Sequence, residues 1–236
     1  KRGNWQSRRD TNKANRDKHS YIVELDARRE TILKSIEEQG KLTEELKAKI
    51  TACTEKAVLE DLYLPYKPKR RTRASIAREK GLEPLAERIM AQPPDGNPIV
   101  EAAAFIDIEK EVPDEAAALQ FARDIVAEIV AENADIRALV RDSYANRGVL
   151  VSTVLKDKGD DVSKFKDYFD YRESVASIPS HRFLAVSRGE KEGVLKLSIE
   201  DDDEKIVNTI LFKLNSNPQS PFSEQLVLAV DDSYKR

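Results

Sequence analysis

The chain has 236 residues, enough for one large domain or two small ones, and its 40% hydrophobic content is sufficient for a core. The net charge is -3, and charged residues at 35% with only 6% aromatics, and Ala, Leu, Glu, Lys and Arg throughout, favour a helical protein. No run approaches the ~20 apolar residues of a membrane span, and the single cysteine, Cys53, excludes an internal disulfide and suits a reducing compartment.

Residues 1–20 carry seven cations and two acids without apolar spacing, so no buried face can be drawn on them and a mobile tail is expected. From Tyr21 the pattern turns helical. Ile22, Leu25, Arg29, Ile32, Leu33 and Ile36 recur at three- and four-residue steps, and Gly40 closes the segment. Thr43 then caps a helix with Leu46, Ile50 and Cys53 on one face, and Thr54 is expected to cap the next, with Val58, Leu59 and Leu62. Helices this short must pack on one another.

The stretch LYLPYKPKRRTRASIAREKG interrupts this pattern. Pro65 and Pro68 stiffen it and push Leu64 and Lys67 toward extended backbone. Thr72 restarts a helix that Gly81 ends. Between residues 66 and 80 lie seven cations, Lys67, Lys69, Arg70, Arg71, Arg73, Arg78 and Lys80, against the single acid Glu79. Two readings compete: a solvated loop whose arginines pair with nearby acids, or a patch facing phosphate, for which the planar guanidinium is well suited.

Further along, Pro84 sits in a first helical turn, PPDG marks a turn, and Asn97 with Pro98 starts a helix. Residues 114–133 give the clearest element, with Leu119, Phe121, Ile125, Val126, Ile129 and Val130 forming a wide apolar stripe. A second helix follows with Ile136, Leu139, Val140 and Tyr144 inward, so this pair should form the centre of a bundle. Residues 149–155, VLVSTVL, fit either strand or helix locally and are assigned to helix on their four-residue spacings. FLAVSR and GVLKLSI read as the arms of a β-hairpin joined across GEKEG, with Gly189 and Gly193 free to take positive φ. Residues 200–204 form an acidic loop, and IVNTILFKL reads as helix or strand. The C-terminal FSEQLVLAVDDSYKR reads as a helix capped by Ser223.

Two blocks carry a family resemblance. LEDLYLPYKPKRRTRASIAREKGLEPLAE and, in the same order, KFKDYFDYRESVASIPSHRFLAVSRGEKEGVLKLSI resemble signatures of the bacterial Tex family of transcription accessory proteins, related in architecture to a eukaryotic transcription elongation factor. The similarity runs from about Tyr21 to the C-terminus. The resemblance implies that complete members join this helical region to a ribonuclease-H-like domain, a helix-hairpin-helix module and an oligonucleotide-binding barrel, with nucleic acid bound chiefly through the barrel. Without a Met at position 1, the chain reads as a fragment of such a protein lacking those three modules.

Motifs for chemistry are mostly missing. Two histidines, His19 and His181, and one cysteine give no zinc ribbon, and GEKEG is not a phosphate loop. Ser180 beside His181 has no orienting acid, and the acidic run 201–204 reads as a solvated loop. LVLAVDD resembles a strand ending in the metal-binding Asp of a ribonuclease-H-like nuclease, but PFSEQ ahead of it is a better helix start. His181 is read as locally hydrogen-bonded in a turn begun by Pro179 and Ser180. Arg182 and Arg188 instead join the basic stretch in the functional reading.

The expectation is therefore a mainly α multi-helix bundle with a small β-hairpin near residues 183–199. Three parts are expected: a tail at 1–20, a helical Tex-like domain at 21–175, and a hairpin plus C-terminal helix at 176–236 leading to a further domain. The expected function is a non-enzymatic, cytoplasmic scaffold of a nucleic-acid-binding transcription accessory protein. Its contacts would be Lys67, Lys69, Arg70, Arg71, Arg73, Arg78, Arg182 and Arg188, without catalytic residues, metal or cofactor. Its partners would be RNA or DNA bound weakly and non-specifically, RNA polymerase, and downstream domains of the same chain. The alternatives are a module docking on acidic proteins and part of a metal-dependent nuclease.

Overall fold

A computed structural model describes residues 3–68, 70–155 and 163–236, with residues 3–15 and 163 as backbone alone. The chain divides into two compact units, residues 1–70 with 132–134, and residues 71–131 with 135–236.

The first unit is built on α1 (Gly3–Glu38), α2 (Glu44–Ala52) and α3 (Lys56–Tyr63). Residues 3–20, expected to be mobile, continue α1 as helix. Propagation adds a hydrogen bond per residue once a nucleus is fixed, so the helix packed from Leu25 onward can extend N-terminally. Leu25, Ile32 and Ile36 of the anticipated stripe meet Ile50, Cys53, Leu59 and Tyr63 in one core. Ile22 stays exposed.

Thr43 caps α2 by accepting from the Leu46 amide at 3.2 Å, and Gly40 takes φ +68° between α1 and α2. Thr54 does not cap α3. The N-cap is Glu55, without a side-chain bond, and the hydroxyl of Tyr21 takes that role instead. It accepts from the Lys56 amide at 2.9 Å and donates to the Thr54 carbonyl at 3.4 Å. Arg29, which shares the apolar spacing of α1, donates to the Ile50 and Cys53 carbonyls at 3.1 and 2.7 Å at the end of α2, where the Ile50 carbonyl accepts only the long 3.3 Å bond of the Cys53 amide besides. A longer side chain on a neighbouring helix thus replaces a local cap at two helix ends, which local sequence rules do not register.

The α-helical turns of α3 stop at Tyr63, and residues 64–66 add one 3-10 turn. Leu64 is helical rather than extended, at φ -51° and ψ -43°, because the turn needs its carbonyl for the Lys67 amide and Pro65 falls where no amide donor is required. Lys67, before Pro68, is extended as expected at φ -64° and ψ 129°.

The second unit contains α4 (Arg73–Glu79), α5 (Glu83–Ala91), α6 (Pro98–Ala103), α7 (Glu115–Glu132) except its last residue, α8 (Ala134–Arg147) except its first, β1 (Val149–Val154), β2 (Asp170–Ser174), α9 (Ser180–Lys191), β3 (Leu195–Glu200), α10 (Asp203–Lys213) and α11 (Ser223–Lys235). Its main core gathers Leu85, Ile89, Ala122, Ile125, Val126, Ile206, Ile210, Phe222 and Leu226. Asn97 caps α6, and Asp114 accepts from the Ala117 amide at the start of α7. Ser223 is the first residue of α11 rather than its cap. Phe222 occupies the cap position and is fully buried in the core, so packing rather than a hydroxyl sets this helix start.

The protein is mainly helical with a small antiparallel sheet of order β2-β1-β3, and two local expectations are corrected within it. VLVSTVL is the central strand and not a helix. Leu150, Val151 and Ser152 are buried in succession, as in a strand covered on both faces, and the Ser152 hydroxyl donates to the Tyr168 carbonyl at 2.7 Å. The second arm of the expected hairpin is β3, but it pairs with β1, Val154 opposite Leu195 and Val149 opposite Glu200. The first arm is helical: residues 183–188 lie in α9, with Val186 and Gly189 buried three residues apart on one face. Gly189 does not serve a turn. It lets α9 approach β3, since a Cβ there would overlap the Leu195 side chain, whereas Gly193 at φ +69° ends the helix. Leu150, Phe165, Val186, Val194 and Leu195 form the core of this layer. The junction expected at residues 175 and 176 lies between β2 and α9, inside this layer.

Candidate nucleic-acid interface

The basic stretch is anchored from its second half. Thr72 and Ser75 form a reciprocal capping box: each hydroxyl accepts from the other's amide, at 3.0 and 2.8 Å. Ala74 and Ala77 are buried, which brings α4 into the main core at little side-chain cost. One carboxylate on α7 holds both ends of α4. Glu128, whose side chain is 12% exposed, accepts from the Thr72 hydroxyl at 2.9 Å and from Arg78 at 2.7 Å. Burial works against the charge of Arg78, yet the Glu128 bond and the charges of Glu128 and Glu83 outweigh it, and the guanidinium pKa is raised.

A second set of acids takes Arg73. Its guanidinium lies 3.7 Å from Asp124 on α7 and 3.4 Å from Asp232 on α11, and Arg236 donates to the same Asp124 at 2.8 Å. Burial tends to raise the Asp232 carboxyl, but the bond and charge of Arg236 and the charge of Arg73 leave it lowered. Arg71 pairs with Glu79 at 2.9 Å with both side chains exposed, and Lys80 reaches Glu111 at 3.0 Å while lying 5.0 Å from the Phe121 ring centre.

The beginning of the stretch is different. Lys67 and Arg70 are exposed and form no ion pair among the described residues, while Lys69 lies outside them. Arg182 and Arg188 sit on α9, in the layer with its own core, not on the core that holds α4. Arg182 is taken by Glu173 on β2 at 2.7 Å. Glu173 is held below its ordinary pKa first by the Tyr171 hydroxyl and then, against burial, by Arg182. Arg188 is exposed and forms no ion pair among the described residues. His181 is the second residue of α9 and exposed, rather than part of a turn.

The residues that sequence reasoning missed are the acids that hold the cations, chiefly Asp124 and Glu128. Their one signal is position: two carboxylates four residues apart inside a wide apolar stripe, where an unpaired acid is costly. Asp231 of LVLAVDD is on α11 and pairs with Lys235 at 2.7 Å. Among the described residues no group of three or more His, Cys, Asp and Glu could hold a metal ion, and no helix is long and apolar enough to cross a membrane.

Among the described residues the chain is mainly helical, with a three-stranded antiparallel sheet and, in the second half of the basic stretch, a capped helix held by acids. Residues 93–229 match the family described as Tex central region-like, and the chain belongs to that family. The match begins after the basic stretch and includes the sheet and α9. The chain is 47% identical over 209 residues to protein YhgF of Escherichia coli K12, covering 89% of this chain and 26% of that protein. It is 49% identical over 180 residues to the transcriptional accessory protein Tex of Neisseria gonorrhoeae, covering 76% and 23%. Similarity extends to the human S1 RNA-binding domain-containing protein 1, at 27% over 185 residues, covering 72% and 18%. The chain therefore spans about a quarter of the length of the bacterial relatives it matches.

Proposed function

We propose that this chain is a non-enzymatic helical scaffold within a cytoplasmic, nucleic-acid-binding transcription accessory protein, and that it meets phosphate at the start of the basic stretch, through Lys67, Lys69 and Arg70. The observation that carries the reading is the division of labour among the cations. Arg73, Arg78, Lys80 and Arg182 are each engaged by a carboxylate, whereas Lys67 and Arg70 are exposed and form no ion pair among the described residues. Moving Arg78 to a phosphate would abandon Glu128, whose side chain is 12% exposed, and a hydrogen bond between charged groups contributes about 1.5–3 kcal/mol, so the exchange gains little over a non-specific contact. Arg71 is an auxiliary contact, since an ion pair exposed at both ends contributes about 0–1 kcal/mol and is readily exchanged.

The relatives' names support the nucleic-acid setting, one being a transcriptional accessory protein and another S1 RNA-binding. In this reading the helical body also gives RNA polymerase and downstream domains of the same protein a platform. Fluorescence anisotropy with labelled single-stranded RNA at low salt tests the contact. Binding is expected at ~10⁻⁴–10⁻⁶ M, the range of backbone contacts alone. Replacing Lys67, Lys69 and Arg70 together by Ala should weaken it about a hundredfold at low salt, with Arg182→Ala within about twofold of the parent, and RNA recovered intact after incubation with Mg²⁺. Equal binding by the triple variant, or RNA cleavage that Asp231→Ala abolishes, would overturn the proposal.

A further inference from the structure

The layer formed by the sheet and α9 carries a second surface that the basic stretch does not explain. On the outer face of α9, His181, Leu184, Arg188 and Lys191 recur at steps of three, four and three residues, and so align along one side of the helix. They lie opposite Val186 and Gly189, which are buried against the sheet. All four are exposed, Leu184 at 65%, and Phe183 beside it is 49% exposed. Arg188 and Lys191 form no ion pair among the described residues, and the acid that continues the stripe, Glu192 four residues beyond Arg188, is paired with Lys164 at 2.6 Å. The contrast is Arg182, the neighbouring cation outside the stripe, which Glu173 neutralises.

We infer that this face of α9 is a docking surface for an acidic amphipathic helix of a protein partner, independent of the phosphate contact proposed above. The charges alone would suit a phosphate backbone equally well. Leu184 decides between them: it lies in line with the two cations and gains from burial against an apolar stripe, which a sugar-phosphate chain does not offer, whereas Phe183 points about 100° away around the helix and takes no part. An acidic helix with leucines at three- and four-residue spacing supplies both, placing apolar contact over Leu184 and carboxylates against Arg188 and Lys191. The face then works as a helix-on-helix contact, with burial setting affinity and the flanking charges setting orientation and partner choice.

The test uses the whole chain and a synthetic peptide of about 20 residues, long enough to be helical, with leucines along one face and glutamates on its flanks. A control peptide keeps the glutamates and replaces the leucines by serine. The leucine peptide should bind at least about tenfold more tightly than its control. Leu184→Ser and the double substitution Arg188→Glu with Lys191→Glu should each lose about tenfold or more, with unchanged circular dichroism and amide shift changes confined to α9 in the parent complex. Three results would overturn the inference: both peptides binding alike, neither variant altering affinity, or single-stranded RNA displacing the peptide from α9 while Leu184→Ser has no effect. Self-association of the chain that Leu184→Ser abolishes would also overturn it, by assigning the face to a second copy.

Discussion

Replacing Glu128 by Ala tests whether the arginines of α4 are structural anchors. Glu128 accepts a charge-assisted bond from Arg78 at 2.7 Å and a hydroxyl bond from Thr72 at 2.9 Å, with its own side chain 12% exposed. A hydrogen bond to a charged group contributes about 1.5–3 kcal/mol and a neutral one about 0.5–1.5 kcal/mol. The full penalty of an orphaned buried charge does not apply, because Arg78 is one-third exposed and keeps Glu83 at 3.4 Å. A loss of about 2–3 kcal/mol follows, or a fall in Tm of roughly 5–10 °C for a body of this size. Glu128→Gln retains an acceptor for Thr72 and should lose only about 1 kcal/mol. Urea unfolding gives the free energies, and hydrogen exchange should show α4 amides losing protection before those of α7. If Glu128→Ala unfolds within about 0.5 kcal/mol of the parent, the ordinary scatter of a surface substitution, α4 is not held by this carboxylate. Arg78 would then no longer be withheld from phosphate.

Gly189→Ala should destabilise the second unit by about 1–3 kcal/mol despite its better helix propensity, because the added methyl overlaps Leu195, and a melt unchanged or raised would refute the close approach of α9 to β3. Glu60 is held below the ordinary glutamate value of 4.5, first by the bond from Arg28, so its contribution is present above pH about 4.5 and lost as pH falls through its lowered folded-state value. Urea midpoints from pH 6 down to about 3 should therefore decline less steeply in Glu60→Gln than in the parent, modestly because both partners are about one-third exposed, and parallel curves would refute the coupling.

The helices legible in the sequence are those whose apolar stripe faces a single core, such as α7, or whose cap is local, such as α2, α4 and α6. Two segments mislead for related reasons. In β1 the burial of Leu150, Val151 and Ser152 on both faces removes the alternation that distinguishes a strand, and the remaining four-residue spacings imitate a helix. In α9 the inward face is a valine and a glycine, and a glycine that permits close packing looks, from sequence alone, like one that permits a turn. The cations of the basic stretch are visible as a local excess of charge, but what occupies them is not. Arg73 meets Asp232 across 159 positions and Arg78 meets Glu128 across 50, and nothing near the basic stretch marks those partners. Composition locates the patch, and only the fold separates its anchored cations from its exposed ones.

The most direct test of the phosphate contact is the salt dependence of RNA binding. Each neutralised phosphate on a single strand contributes about 0.7 to the slope of log affinity against log salt concentration. The parent chain and the variant with Lys67, Lys69 and Arg70 all changed to Ala should be titrated side by side over a fourfold range of salt, roughly 50 to 200 mM. The account predicts a slope shallower by about 2 in the variant, because three phosphates keep their counterions, with the circular dichroism spectrum unchanged. Equal slopes for the two proteins would contradict it, and would place the phosphate contact away from the start of the basic stretch.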